Sequence, residues 1–150
     1  MADGGEGTVE LFIESGAQAH EVVVHDPLGR RVRATFALQG TRAIVEMASA
    51  SGLVLLRPDE RDPWRADTTG TGELIRAALD AGAREIVVGI GGSATNDAGI
   101  GMLRALGAAT EPPNALHGIT RIDLSGLDPR LARTKLLVAS DVDNPLCGPS

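Results

Sequence analysis

Aspartates stand in three loop-like stretches of this sequence, two of them rich in glycine. "GIGGSATND" spans Gly89 to Asp97, "SDVDNPL" spans Ser140 to Leu146, and "ADGGEGT" spans Ala2 to Thr8. Glycine runs such as Gly91–Gly92 let backbone N–H groups point outward, and Ser93, Thr95 and Asn96 add side-chain donors. Such a loop suits an anion, phosphate or carboxylate, and each hydrogen bond to a charged partner contributes about 1.5–3 kcal/mol. The same residues also read as a tight turn packed close to a helix. Asp97 would repel a phosphate held in that loop. It reads either as a ligand holding Mg2+ against the phosphate or as a helix cap. Asp141 and Asp143 pose a similar choice: Mg2+ ligands, or an Asx turn ahead of Pro145. An EF-hand is excluded, because Leu146 stands where that loop needs glycine. In the first stretch Asp3 and Glu6 flank Gly4 and Gly5, either as part of a site or as a capped helix start.

Such loops need rigid neighbours. "REIVVGI" is a short continuous apolar run, the pattern of a strand buried on both faces, and it leads straight into the glycine loop. "KLLVAS" is a second such run and leads into Asp141. Ligands bind at the carboxyl edge of parallel strands, so Gly91, Asp97 and Asp141 are expected to face one cleft. Ile100, Leu103, Ala105 and Leu106 open a helical pattern after the loop, whose start would add a positive dipole end. "TGELIRAALDAGA" places Leu74, Ile75, Ala78 and Leu79 at helical spacing, and "LDPRLART" reads as a short helix with Asp128 as N-cap. Strands and helices in this order imply parallel strands joined by crossovers. Upstream, residues 7–15 read as a helix ended by Gly16. "HEVVVHD", "RVRATFAL" and "AIVEMA" then read as three strands linked by the turns "DPLGR" and "QGTR". In "RVRATFAL", Val32, Ala34, Phe36 and Leu38 alternate with Arg31, Arg33 and Thr35, the signature of a half-exposed antiparallel strand. The fold class is α/β. Residues 1–56 form a helix with an antiparallel β-meander, 57–70 a polar linker, and 71–150 a Rossmann-like parallel portion.

Bulk properties narrow the partners. The chain has 150 residues, the usual size of one domain, with 43% hydrophobic and 23% charged content. A net charge of −6 argues against a nucleic-acid surface, and 2% aromatic content argues against base-stacking platforms. Cys147 is the single cysteine, so no internal disulfide forms and a reducing compartment fits. No apolar run approaches the roughly 18 residues of a membrane span, and the N-terminus lacks the pattern of a secretory signal. A cytoplasmic protein without membrane or nucleic-acid partners is expected. His20, His25 and His117 accompany no Ser or Cys nucleophile motif and read as surface or strand-edge residues.

Several phosphate ligands can be weighed. A Walker A loop needs a lysine after its glycines, and the single lysine, Lys135, lies elsewhere. Gly89, Gly91 and Ala94 satisfy a weak dinucleotide fingerprint. Glu111 has the spacing of its ribose-binding acid, but "ATEPPN" around it reads as a loop rather than a strand end. Three readings stay open: a phosphoryl-transfer enzyme, a non-catalytic small-anion or nucleotide-binding module, and half of a dinucleotide-dependent oxidoreductase.

"ADGGEGT", "GTGELIRAAL", "IVVGIGGSATNDAGIGMLRALGA", "RIDLSGLDPRL" and "DVDNPLCGP", in this order, resemble the bacterial type-I glycerate kinase family. The resemblance covers almost the whole chain, and "GIGGSATNDAG" followed by "DVDNPL" is its most specific part. It implies phosphorylation of a hydroxyl of D-glycerate by ATP with Mg2+, on a fold of two α/β domains with the site between them. Matched by motif, Asp3, Gly4, Gly5 and Glu6 fall in a first substrate-binding loop. Gly91, Gly92, Ser93, Asn96 and Asp97 form the central one, and Asp141, Asp143 and Asn144 the third. Asp97 and Asp141 are the implied catalytic residues, and Asp97, Asp141 and Asp143 the implied metal ligands. The family's Ser-Phe-Lys-Gly and Gln-Lys-Gly motifs are not found here. "DTTGTGELI" carries Thr69 where an aromatic residue is common, and "GAATEPPNALHGITRIDL" is shorter than the usual connection. The resemblance therefore implies the central portion of an incomplete two-domain kinase, inactive alone and inclined to self-association through uncovered surface.

Overall fold

A computed structural model describes residues 7–140. Asp3, Gly4, Gly5, Glu6, Asp141, Asp143 and Asn144 therefore lie outside the described residues.

Helix α1 (Thr8–Glu14) comes first, and the chain turns out of it at Gly16, whose φ of 104° is left-handed. Strands β1 (Gln18–His25), β2 (Arg31–Gln39) and β3 (Arg42–Glu46) follow as an antiparallel meander. The β1–β2 turn is held by Asp26, whose carboxylate accepts from the N–H groups of Leu28 (2.9 Å) and Arg30 (2.8 Å). Burial pushes that carboxyl's pKa up, but the Arg30 N–H, its guanidinium and the Leu28 N–H outweigh burial and hold it below the usual carboxylate range.

The meander does not stand apart from the parallel strands. β3 pairs in parallel with β4 (Glu85–Gly89), which pairs in parallel with β7 (Lys135–Ala139), giving one mixed five-stranded sheet in the order β1-β2-β3-β4-β7. The crossover from β3 to β4 runs through the short helix α2 (Ala48–Ser51), two single 3-10 turns and helix α3 (Thr69–Asp80). The crossover from β4 to β7 runs through the glycine loop, helix α4 (Ile100–Ala105), a hairpin of β5 (Ala109–Glu111) and β6 (Arg121–Asp123), and a 3-10 turn at Pro129–Arg133. Asp128 caps that turn, its side chain accepting from the Arg130 N–H.

Alternation along the strands separates the two faces. Ala34, Phe36, Ala43, Val45, Ile86 and Val88 pack with Leu74, Ile75, Ala78 and Leu79 of α3. Ala37 and Ile44 pack with Val9 of α1. Phe36, 1% exposed, is the largest fully buried side chain, and its burial contributes about 1.5–3 kcal/mol.

Two expectations are corrected. "KLLVAS" forms a parallel strand, but among the described residues β7 is an edge strand. Leu136, Leu137 and Val138 are exposed, because among the described residues β4 is its only strand neighbour. Glu111 ends a strand rather than lying in a loop. That strand, β5, belongs to an antiparallel hairpin outside the main sheet, so it is not the second parallel strand of a dinucleotide fold. Within the stretch 57–70, Thr69 and Gly70 already belong to α3, and Thr68 is 1% exposed.

Candidate active site

β3, β4 and β7 run in parallel with Glu46, Gly89 and Ala139 level at their carboxyl ends. The glycine loop leaves from the middle of that edge. It is stitched down at both ends: the Ile90 N–H donates to the Ala139 carbonyl, and the Ala94 N–H to the Ser51 carbonyl (2.9 Å). From outside, the Leu53 N–H donates to the Gly92 carbonyl (2.9 Å), and Ser93 forms an isolated bridge with Gly52. Gly92 has φ 70°, a conformation that glycine adopts without strain, and the turn it makes faces solvent.

Between those stitches the N–H groups of Gly91, Gly92 and Ser93 meet no acceptor among the described residues. The Ser93 and Thr95 hydroxyls lie 3.0 Å apart, and Asn96 is exposed beside them. The structure thus brings Gly91, Gly92, Ser93 and Asn96 together on one rigid, accessible turn. Successive outward N–H groups in such a turn make an anion-binding concavity.

Asp97 is placed differently. It is 3% exposed, and its carboxylate is surrounded by donors. Oδ2 accepts from the Thr68 N–H (3.0 Å), the Thr68 hydroxyl (2.7 Å) and the Gly101 N–H (2.9 Å). Oδ1 accepts from the Gly99 N–H (3.2 Å). The Thr68 hydroxyl in turn accepts from the Met102 N–H (2.9 Å). One carboxylate therefore ties the start of α4 to the start of α3. Gly101 permits this approach, because a Cβ there would lie 2.7 Å from the Thr69 nitrogen. Of the two readings of Asp97, the geometry favours the cap. It also removes the dipole argument: α4 has six residues, and Asp97 already occupies the N–H groups at its start. The N–H groups left without an acceptor among the described residues are those of the turn itself.

Two residues at this edge escaped the motif reading. Glu46 ends β3, is 6% exposed, and accepts from the Thr8 and Val9 N–H groups, so it holds the start of α1 at the same edge as the glycine loop. The available signal was an acid in a strand otherwise apolar, "AIVEMA". Thr68 carried the signal of a Thr immediately before a helix, but its partner lies 29 residues away. The histidines divide. His25 Nδ1 lies 2.8 Å from Glu73, whereas His117 packs edge-on against Trp64 with ring centroids 4.4 Å apart.

A hollow of about 320 Å3 at the opposite end of the sheet is lined by Arg84, Arg130 and Arg133. Arg130 is committed there to Asp128 and Asp80, and its guanidinium holds the Asp128 carboxyl down to about 2. Among the described residues no three His, Cys, Asp or Glu side chains gather as a metal site, and no helix is long and apolar enough to cross a membrane. Asp97 is already met by four donors, so it does not fit a metal ligand here.

The family model for the glycerate kinase family matches residues 1–150. A glycerate kinase of Bacillus subtilis (strain 168) is 51% identical over 99% of this chain and 42% of its own length. A glycerate 2-kinase of Escherichia coli (strain K12) is 48% identical over the same shares. A crystal structure from Salmonella typhimurium LT2 bearing the name glycerate kinase 2 matches with a TM-score of 0.93 and 49% identity, over 99% of this chain and 43% of that one. The chain spans about two fifths of the length of the curated relatives it matches.

Proposed function

The chain belongs to the glycerate kinase family, and from that premise we propose that it carries the phosphate-holding edge of an ATP-dependent D-glycerate kinase. The observation that supports this reading is the row of N–H groups at Gly91, Gly92 and Ser93, open at the carboxyl edge of parallel strands. Phosphoryl transfer asks the protein mainly for positioning and charge stabilisation. A glycerate hydroxyl oxygen bonds to the γ-phosphorus as the bond to the β–γ bridging oxygen breaks and ADP leaves. The hydroxyl proton passes to a base. The three N–H groups would meet the equatorial oxygens of the transferring group, and the Ser93 hydroxyl could add a donor.

Within this reading Asp97 is a positioning residue that fixes where the turn meets α3 and α4. Mg2+ would shield charge on the phosphates. Its carboxylate ligands are expected from Asp141 and Asp143, with Asp3 and Glu6 completing the substrate loops, all outside the described residues. The test uses a polypeptide of the relatives' length carrying residues 1–150 unchanged. Supplied with ATP, Mg2+ and D-glycerate, it is expected to release ADP and phosphoglycerate, followed by phosphorus NMR. Gly92→Val forces a β-branched residue into left-handed backbone and twists the row of donors. Turnover is expected to fall about a hundredfold, the scale of losing one preorganised donor. No phosphoglycerate from the parent, or full turnover in Gly92→Val, would refute the reading.

A further inference from the structure

At the amino ends of β4 and β7, far from the glycine loop, the hollow of about 320 Å3 brings together three arginines, Arg84, Arg130 and Arg133, beside the buried Leu79 and Ala83. Among the described residues no carboxylate lines it. We propose that this hollow is a second anion site, one that holds a phosphate group, either free phosphate or the monoester of a short carbon chain. It lies at the other end of the strands from the glycine turn and does not depend on the kinase reading.

Charge supplies the first argument. The chain carries 20 acidic and 14 basic residues, and Arg30, Arg33, Arg42, Arg57 and Arg121 each rest on a carboxylate. Arg84 and Arg133 do not. Neither guanidinium has a hydrogen-bond or ion-pair partner among the described residues. A guanidinium stays charged, so two unmatched ones beside a third repel one another until an anion enters. Arg130 completes the set. Its Nε and Nη2 are bonded to Asp128 and Asp80, which hold it still, while its Nη1 meets no acceptor among the described residues. Glu85, next to Arg84 in sequence, alternates away from Ile86 and Val88, which face α3, and pairs with Arg42 and Lys135.

The backbone beneath the arginines is fixed. The Arg84 N–H donates to the Thr41 carbonyl (2.8 Å), and the Arg84 carbonyl accepts from the Lys135 N–H (2.9 Å). Arg133 ends the 3-10 turn that Asp128 caps, and the Thr134 hydroxyl donates back to the Arg130 carbonyl (2.8 Å). Glu85 stands beside Lys135 in the β4–β7 register, so Arg84 is level with Thr134 and one residue from Arg133. Neighbouring strands lie about 4.8 Å apart. Two guanidinium forks rooted that close can bracket one phosphate, whose oxygens match their paired N–H groups. Leu79 and Ala83 give the space an apolar side for a carbon chain. A Cβ at Gly82 would meet nothing within 4 Å, so the hollow is open on that side.

The full chain is titrated with inorganic phosphate and with glycerol phosphate, read by calorimetry and by amide NMR. Saturable shifts are expected at the amides of Gly82, Ala83, Arg84 and Thr134, separate from any at Gly91 to Ser93. Arg84→Gln and Arg133→Gln are each expected to weaken this binding about tenfold or more, the scale of one charged hydrogen bond. Arg133→Lys should weaken it less, because lysine keeps the charge and loses the fork. Gly92→Val, which alters the glycine turn, should leave it unchanged. Arg84 and Arg133 are exposed, so the glutamine variants keep the fold. Without ligand they should hold or raise the urea midpoint, since each removes a repelled charge. Equal affinity for the two probes assigns the site to phosphate itself, and tighter binding of glycerol phosphate assigns the apolar side to its carbon chain; either supports the proposal. Three results overturn it: no saturable shift at those amides with either probe in the millimolar range, binding indifferent to both glutamine variants, or a fall in the urea midpoint that marks the arginines as structural. Binding of an oligoglutamate peptide with neither phosphate probe bound also overturns it and makes the hollow a docking face for a protein.

Discussion

Asp97→Asn separates a structural carboxylate from a metal-binding one, because the two roles predict opposite stability effects. In the structure Oδ2 takes three hydrogen bonds and Oδ1 takes one, from Thr68, Gly101 and Gly99. Hydrogen bonds to an ionised acceptor contribute about 1.5–3 kcal/mol, and neutral ones about 0.5–1.5 kcal/mol. The amide oxygen can keep the three bonds at Oδ2, each weaker by about 1 kcal/mol. The amide NH2 then points at the Gly99 N–H, donor against donor. With the Gly99 bond lost outright, the expected loss is about 4.5–6 kcal/mol, a large share of the roughly 5–15 kcal/mol that holds a typical domain folded. Urea denaturation of the 150-residue chain, followed by circular dichroism and Trp64 emission, reads this directly. Thr68→Val removes the same hydroxyl from the other side, and a double-mutant cycle should show the two losses coupled. A loss below about 0.5 kcal/mol for Asp97→Asn, the range of an ordinary surface substitution, would refute the reasoning. It would return Asp97 to the role of a free ligand.

The other predictions probe the same edge and its supports. Gly101→Ala places a Cβ 2.7 Å from the Thr69 nitrogen and should cost about 1–3 kcal/mol by overpacking, read as a lower urea midpoint. Glu46→Gln leaves the Thr8 and Val9 N–H groups with a neutral acceptor and should destabilise α1 by about 1 kcal/mol, seen as faster amide exchange confined to residues 8–14. The Asp128 carboxyl is held at about 2 by Arg130, below its unfolded value, so its contribution is present above the ordinary carboxylate range and is lost as pH falls through about 2. Asp128→Ala should therefore lower the denaturation midpoint at neutral pH, and its gap from the parent should narrow steadily below pH 4.

The sheet was legible where periodicity and burial agree. "RVRATFAL" alternates because β2 buries Ala34 and Phe36 under α3, and "REIVVGI" is continuous because β4 lies between two parallel neighbours with helices on both faces. "KLLVAS" shows the limit of that rule. Its composition matches β4, yet Val138 is 65% exposed, since an apolar run reports what a strand can bury and not what stands beside it. The joining of the meander to the parallel strands was not legible either. "AIVEMA" reads as the end of a hairpin, but β3 has a second edge, and its pairing with β4 is made by residues 43 positions further on.

The site divides along the same line, between groups that one segment determines and groups that need a distant partner. A glycine run with nothing to fill it announces free N–H groups, and Gly91 to Ser93 keep them in the folded chain because no side chain of their own can reach back. A carboxylate announces only that it will find donors. Asp97 could have turned outward to a cation or inward to a helix start, and both choices use the same neighbours in sequence. Thr68 decided between them. It presents an N–H and a hydroxyl to Oδ2 where the start of α3 and the start of α4 approach closely enough for Gly101 to be required. The approach of two helices set by three segments is invisible to local pattern. Its consequence is structural: the acid of the central loop is spent on joining α3 to α4, while the N–H groups of Gly91, Gly92 and Ser93 meet no acceptor among the described residues.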